Sequence, residues 1–230
     1  MSIRHWASAA ALAFAALPAL AVDFNFYQLG RGPANDFLPT DGVACTGGDQ
    51  CSSNINGGVY GGDLNFVAGG ITATATSSFT GGASSVVQDH QTGWTVGNSA
   101  GLGVYHSQNT SDDNITFGEM LTITFDRVVT LTGIGLRAEG HNFTGWNTGA
   151  TFLFNGVQTL LPDNVGTIGL SSTGSVFTFA FDNNARSADQ FYLASLTVAP
   201  VPEPETYALM LAGLAALGAV RRRRGKALAR

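Results

Sequence analysis

The strongest constraint on this chain is an alternation of period two. Leu121, Ile123 and Phe125 take one parity while Thr122 and Thr124 take the other. Phe177, Phe179 and Phe181 repeat the pattern against Val176, Thr178 and Ala180. Phe191, Leu193, Ser195 and Thr197 do so against Tyr192, Ala194, Leu196 and Val198. Neighbouring side chains of a strand face opposite sides, so this pattern in aromatic and β-branched residues marks half-buried strands. Nothing between Val22 and Pro200 sustains a 3.6-residue period. Turn residues punctuate the runs: Gly57-Gly58, Gly61-Gly62-Asp63, Gly69-Gly70, Gly81-Gly82, Asn155-Gly156 and Asp182-Asn183-Asn184. Asn155-Gly156, between Thr151–Phe154 and Val157–Leu161, is the strongest hairpin signal, because a type I′ turn needs positive φ at both central residues. The expected fold is all-β: an antiparallel β-sandwich, jelly-roll-like, plus an N-terminal signal helix and a C-terminal hydrophobic helix.

Both ends of the 230 residues read as processing segments and stand outside that fold. Arg4 and His5 precede an Ala-rich apolar run from Ala7 to Leu17, Pro18 breaks it, and Ala19-Leu20-Ala21 supplies a small-x-small cleavage pattern. The run is shorter than the roughly 17–25 residues of a spanning helix, so a signal peptide cleaved after Ala21 by signal peptidase is expected. The expected organisation is residues 1–21 as signal peptide, 22–200 as the β-sandwich domain and 201–230 as a sorting tail.

Charge sharpens once the ends are set aside. Between Val22 and Pro200 the basic residues are Arg31, Arg127, Arg137 and Arg186, against twelve Asp and two Glu, a formal charge of −10. An acidic surface repels phosphate backbones, so nucleic acid is not an expected partner. Two cysteines are present, Cys45 and Cys51. In an exported chain a pair this close is expected to form a disulfide, and so small a ring contributes about 2 kcal/mol at most.

The tail is the most specific segment. Val201-Pro202-Glu203-Pro204-Glu205 is followed by the apolar run Thr206 to Val220 and then by Arg221, Arg222, Arg223 and Arg224. The prolines end the preceding strand and hold an extended segment that an enzyme can grip. The 15 apolar residues span roughly 22 Å as a helix, and arginines that snorkel extend that reach and stay cytoplasmic. A permanent anchor and a removable signal both fit this composition. The order of parts resembles the PEP-CTERM sorting signal of Gram-negative bacteria, carried by Pro202, Glu203, Pro204, the Gly213-Leu214 step and the arginine cluster. The resemblance implies an exosortase, a cysteine transpeptidase acting at or near Pro202-Glu203-Pro204, and a setting of exopolysaccharide and biofilm producers. The protein would be held at the inner membrane through its C-terminal helix before processing, then at the cell surface or in the extracellular matrix. A second, weaker resemblance joins Gly101–Tyr105, Asp112-Asp113-Asn114 and Glu119–Phe125 to β-domains of such proteins. Ala188–Leu193 is similar to the closing strand of jelly-roll carbohydrate-binding sandwiches, with Asp189-Gln190 where Asp-Asn or Asp-Asp is more usual.

Four groups of residues are candidates for chemistry. Gly97-Asn98-Ser99-Ala100-Gly101 matches a nucleophile elbow, but the strand-like residues after it offer no helix to build one. His90, His106 and His141 lack zinc spacing, and no catalytic residue is assigned. A structural calcium ion, the one cofactor considered, would draw on Asp112, Asp113, Asn114, Glu119 and Asp189, since calcium takes six to eight oxygens; a solvated acidic turn is the plainer alternative. Trp146, with Phe143 and Asn147 in a Gly- and Asn-rich stretch, is a candidate glycan platform, because aromatic faces stack on sugars and amides orient hydroxyls; capping of the core is the alternative. The expected function is a non-catalytic surface or matrix protein contacting exopolysaccharide. The alternatives are a secreted polysaccharide-active hydrolase, which needs a converging carboxylate pair, and an ice-binding module, which needs a flat threonine face. Ile71-Thr72-Ala73-Thr74-Ala75-Thr76 is the one run of that kind and is too brief to span a face alone.

Overall fold

A computed structural model describes residues 20–27, 45–46, 50–52, 63–89, 100–106, 108, 114–140, 145–162, 166–202, 208 and 210–218. The N-terminal signal helix expected over residues 1–21 lies almost wholly outside them. Residues 21–200 form one compact unit. Among its described residues, twelve strands pair antiparallel throughout: β1 (Val22–Asn25), β2 (Cys45–Thr46), β3 (Gln50–Ser52), β4 (Leu64–Ala68), β5 (Ile71–Phe79), β6 (Ser84–Asp89), β7 (Gly101–His106), β8 (Glu119–Arg137), β9 (Thr151–Phe154), β10 (Val157–Leu160), β11 (Thr167–Phe181) and β12 (Tyr192–Pro200). The all-β antiparallel class expected from the alternation is observed.

Two long strands organise the whole. The first part of β8 pairs with β5, from Phe79↔Glu119 to Ala73↔Phe125. Its later part pairs with β12, from Pro200↔Val129 to Tyr192↔Arg137. On the other side β11 follows β8 along both parts. Between Thr124 and Val129 the register jumps by five residues on β8 while β11 moves only from Val176 to Gly174. Buried Phe125, still paired with Ala73, and the exposed Asp126, Arg127 and Val128 fill the jump. An irregularity of this kind lets one strand leave one layer and enter the next. One layer therefore runs β4-β5-β8-β11-β9-β10, and the other runs β11-β8-β12-β7-β6-β3-β2, with β1 also on β12.

The facing sides share a single apolar core, to which β5 gives Ile71, Ala73 and Ala75, β8 gives Leu121, Ile123 and Phe125, and β11 gives Phe177 and Phe179. Phenylalanines bridge the layers. Phe24 of β1 meets Phe125 edge-on at 5.5 Å, Phe26 meets Phe66 of β4 at 4.9 Å, and Phe152 of β9 meets Phe191 at 5.1 Å. Each fully buried ring contributes about 1.5–3 kcal/mol of transfer free energy. Within one layer β7 runs tightest against β12 at Gly101, where a Cβ would strike the carbonyl of Leu193 and φ is +128°.

The β9–β10 hairpin turns as its sequence requires: Asn155 has φ 49° and Gly156 φ 76°. The turn is also docked, since Asn155 Oδ1 accepts from Thr178 N at 2.8 Å and Asn155 N donates to Thr178 O at 2.9 Å. In the other unit, residues 210–218 are helical, so a short C-terminal helix is present. Among the described residues no helix is long and apolar enough to cross a membrane.

Candidate functional site

The tail begins where the fold ends. Pro200 is the last residue of β12 and sits opposite Val129. Val201 and Pro202 follow it and are exposed. Glu203, Pro204, Arg221, Arg222, Arg223 and Arg224 lie outside the described residues.

Of the expected calcium set, Asn114, Glu119 and Asp189 are among the described residues. Asp112 and Asp113 lie outside the described residues. Glu119 is buried at the start of β8, where Oε2 accepts from Thr116 N at 2.7 Å and Oε1 lies 3.6 Å from His106 Nε2. His106 in turn stacks on Phe79 with centroids 3.8 Å apart, and its Nδ1 accepts from Gln108 N at 3.2 Å. An imidazole that accepts at Nδ1 carries its proton on Nε2 and turns that proton toward the carboxylate. Together with Ser77 and Ser84, whose hydroxyls meet at 3.0 Å, this pair forms a polar end to the core. Asp189 is engaged elsewhere: Oδ2 accepts from Asn147 N and Nδ2 at 2.9 and 3.1 Å, and Oδ1 from Gln190 N at 3.0 Å. Asn114 is buried, and its Oδ1 has no hydrogen-bond partner among the described residues. Among those residues no group of three His, Cys, Asp or Glu side chains is placed to hold a metal ion.

The expected glycan platform is rearranged in a similar way. Phe143 lies outside the described residues. Trp146, expected in an open loop, is turned inward with 8 % of its surface exposed, and its Nε1 donates to Gln190 O at 3.1 Å. Its ring belongs to the apolar core, so the packing alternative describes it and its face is not offered to a sugar. Asn147 is exposed, but its amide is tied to Asp189. The loop and the residues before β12 thus brace each other.

Two buried charges hold structure in place. Asp182, 2 % exposed at the end of β11, accepts at Oδ2 from Gln158 Nε2 at 2.7 Å and from Thr151 Oγ1 at 3.1 Å. The Gln158 hydrogen bond, aided by Thr151 and nearby backbone N–H groups, outweighs burial and holds its carboxyl below the ordinary value. Arg137, 3 % exposed, lies 4.4 Å from the Tyr27 ring centroid, and burial lowers its pKa. The register also places Cys45 of β2 opposite Cys51 of β3.

Sequence reading missed a face. In β5, Ile71, Ala73 and Ala75 are buried, so Thr72, Thr74 and Thr76 point outward. They do not stand alone: Thr76 is opposite Thr122, Thr122 is opposite Thr178, Thr74 is opposite Thr124, and Thr124 is opposite Val176. The signal was present in the alternation itself, because Thr122, Thr124 and Thr178 hold the parity opposite the core. Only the pairing of β5 with β8 could show that they share one surface with Thr74 and Thr76.

An antiparallel β-domain followed by a Pro-Glu-Pro segment, a short apolar helix and an arginine cluster is the arrangement of an exported, tail-sorted protein. Residues 200–224 match the PEP-CTERM protein-sorting motif. The chain therefore carries a PEP-CTERM sorting signal, which indicates an exported protein sorted by an exosortase, and the match is confined to the tail and the last residue of β12. No curated protein and no solved structure matches the chain.

Proposed function

We propose that this protein is a non-catalytic component of the cell surface or extracellular matrix, delivered by its sorting tail and in contact with exopolysaccharide. The sorting motif at residues 200–224 carries the reading, because it implies a destination rather than a reaction. The buried ionisable groups support the non-catalytic part. Glu119 faces His106 and the backbone of Thr116, and Asp182 faces Gln158 and Thr151, each tying strands or turns together. Contact with exopolysaccharide rests on the setting that the motif implies, not on Trp146. Membrane attachment before processing is assigned to the apolar segment around residues 210–218, with the neighbouring arginines held at the cytoplasmic side.

The test is the intact mass of the native protein from cell-envelope and released fractions. A mature start at Val22 with everything beyond the Pro202–Pro204 region gone supports sorting by an exosortase. A tail still present in both fractions overturns it. Purified mature protein then goes to glycan arrays with and without calcium, and no retention on any polysaccharide of the producing strain removes the exopolysaccharide contact. Retention only with calcium would support an ion site at Asp112, Asp113 and Asn114.

A further inference from the structure

We infer that the outer face of β5, β8 and β11 is an ice-binding surface. This inference is independent of how the protein is sorted. Its basis is a two-by-three grid in strict register. One row is Thr76–Thr122–Thr178 and the next is Thr74–Thr124–Val176. Five of the six positions are threonine, and the sixth is valine, which has nearly the same shape. Thr72 continues the β5 column. Parity locks the grid outward, since the intervening residues Ala75, Ile123 and Phe177 are fully buried. Thr124 and Val176 are exposed and the other four are half-buried.

The spacing follows from strand geometry. Columns stand about 4.8 Å apart across the sheet, and rows about 6.8 Å apart along the strands. A sheet twists by about 20–25° per strand, so the outer columns turn by that angle either side of the middle one, which over two rows displaces the corners of the grid by only about 1–1.5 Å. On one side the surroundings are uncharged, with Ser78–Met120–Ala180 as the next row and Asn65 accepting from the Thr74 hydroxyl at 2.6 Å, while on the other side Asp126 meets the backbone of Thr72 and ends the grid. The nearest charged pair in sequence, Asp126 with Arg127, is at the bend of β8.

These features select the partner. A lone hydroxyl in water gains almost nothing by exchanging one hydrogen-bond partner for another. A grid of hydroxyls and methyls gains only against a partner that is rigid, uncharged and repeats with the same spacing. Nucleic acid and anionic lipid demand cations, and the domain carries a formal charge of −10 between Val22 and Pro200. A protein partner seeks a contiguous apolar centre. Hexagonal ice presents uncharged oxygens at repeats of the same order as the grid, with methyl groups seating between ordered waters while hydroxyls replace lattice positions.

The full-length protein tests this directly. It is held at subzero temperature with a growing ice front and with a polycrystalline film, beside Thr122→Tyr and Val176→Thr variants. Tyrosine suits a strand and raises a bulky ring at the middle of the grid, whereas Val176→Thr completes it. The expected result is incorporation into ice and slowed recrystallisation for the parent. The Thr122→Tyr variant should lose both with an unchanged melting temperature, and Val176→Thr should match or exceed the parent. A folded parent that is excluded from ice overturns the inference, whether or not it adheres to a crystalline polysaccharide offered in parallel. Equal incorporation of parent and Thr122→Tyr overturns the assignment to this face.

Discussion

A buried carboxylate is costly unless each oxygen is claimed, and Asp182 shows how this fold meets that cost. Gln158 and Thr151 both donate to its Oδ2, so the β9–β10 hairpin is fastened to the end of β11 through one side chain. Its carboxyl is held below the ordinary 3.8, which sets the sign of a pH effect. A depressed folded value means the stabilisation is fully present above pH 3.8. It is lost as pH falls through the lower, folded value. Asp182→Asn should therefore flatten the acid side of the stability curve in urea titrations, while the parent loses stability below that pH. Asp182→Ala should cost about 1–3 kcal/mol at neutral pH, because Gln158 and Thr151 lose their acceptor. Trp146 makes the contrasting case. Its indole is core, so Trp146→Ala should cost about 3–5 kcal/mol, and Trp146→Phe should leave retention on polysaccharide unchanged. A selective loss of polysaccharide binding in Trp146→Phe, at full stability, would return the ring to a binding role.

Elements were legible in the sequence to the degree that their signal was local. The alternations over Leu121–Phe125 and Phe177–Phe181 identified segments of β8 and β11, and Asn155-Gly156 gave the turn of the β9–β10 hairpin. What local pattern could not carry was the bend of β8, because Asp126-Arg127-Val128 becomes a corner only when β5 and β12 claim different stretches of one strand. The same holds for Trp146: a Gly- and Asn-rich neighbourhood predicts a loop, but only the tertiary contact with Gln190 decides that the ring turns inward. The threonine face failed to register for a related reason, since three short columns become a surface only through pairing. At this scale the β2–β3 ribbon supplies a prediction. With Cys45 opposite Cys51, the native protein should take up no thiol label until it is reduced, and reduction should lower stability by about 2 kcal/mol at most. Labelling without reductant would show that the two thiols are not joined.

The β-domain as a whole closes through its first and last strands. β1 pairs with β12 from Val22↔Val198 to Asn25↔Ser195, and Thr197 Oγ1 donates to Asp23 Oδ1 at 2.7 Å across 174 residues of chain. Phe24 and Phe26, both fully buried, lie just inside that closure. Non-local pairing of this kind must wait for loop closure and makes folding slow. It also means that the sandwich is complete only when its first and last strands are both available. Removing residues 22–26, β1 and the residue after it, deletes two core phenylalanines, Phe24 and Phe26, each worth about 3–5 kcal/mol when truncated, against a total stability of about 5–15 kcal/mol for a domain. A chain of residues 22–200 is therefore expected to unfold cooperatively in urea with a strong near-ultraviolet circular dichroism signal. A chain of residues 27–200 should lose that signal and bind hydrophobic dyes. If the shorter chain kept a sharp transition at the same midpoint, β1 would be an ornament on β12 and the closure would reside in β8 and β11 alone. The position of the sorting motif adds a constraint, because its match starts at Pro200, inside β12. The strand that β1 closes upon is thus the strand that carries the tail, and the same two chains should show whether the domain holds that strand without the tail attached.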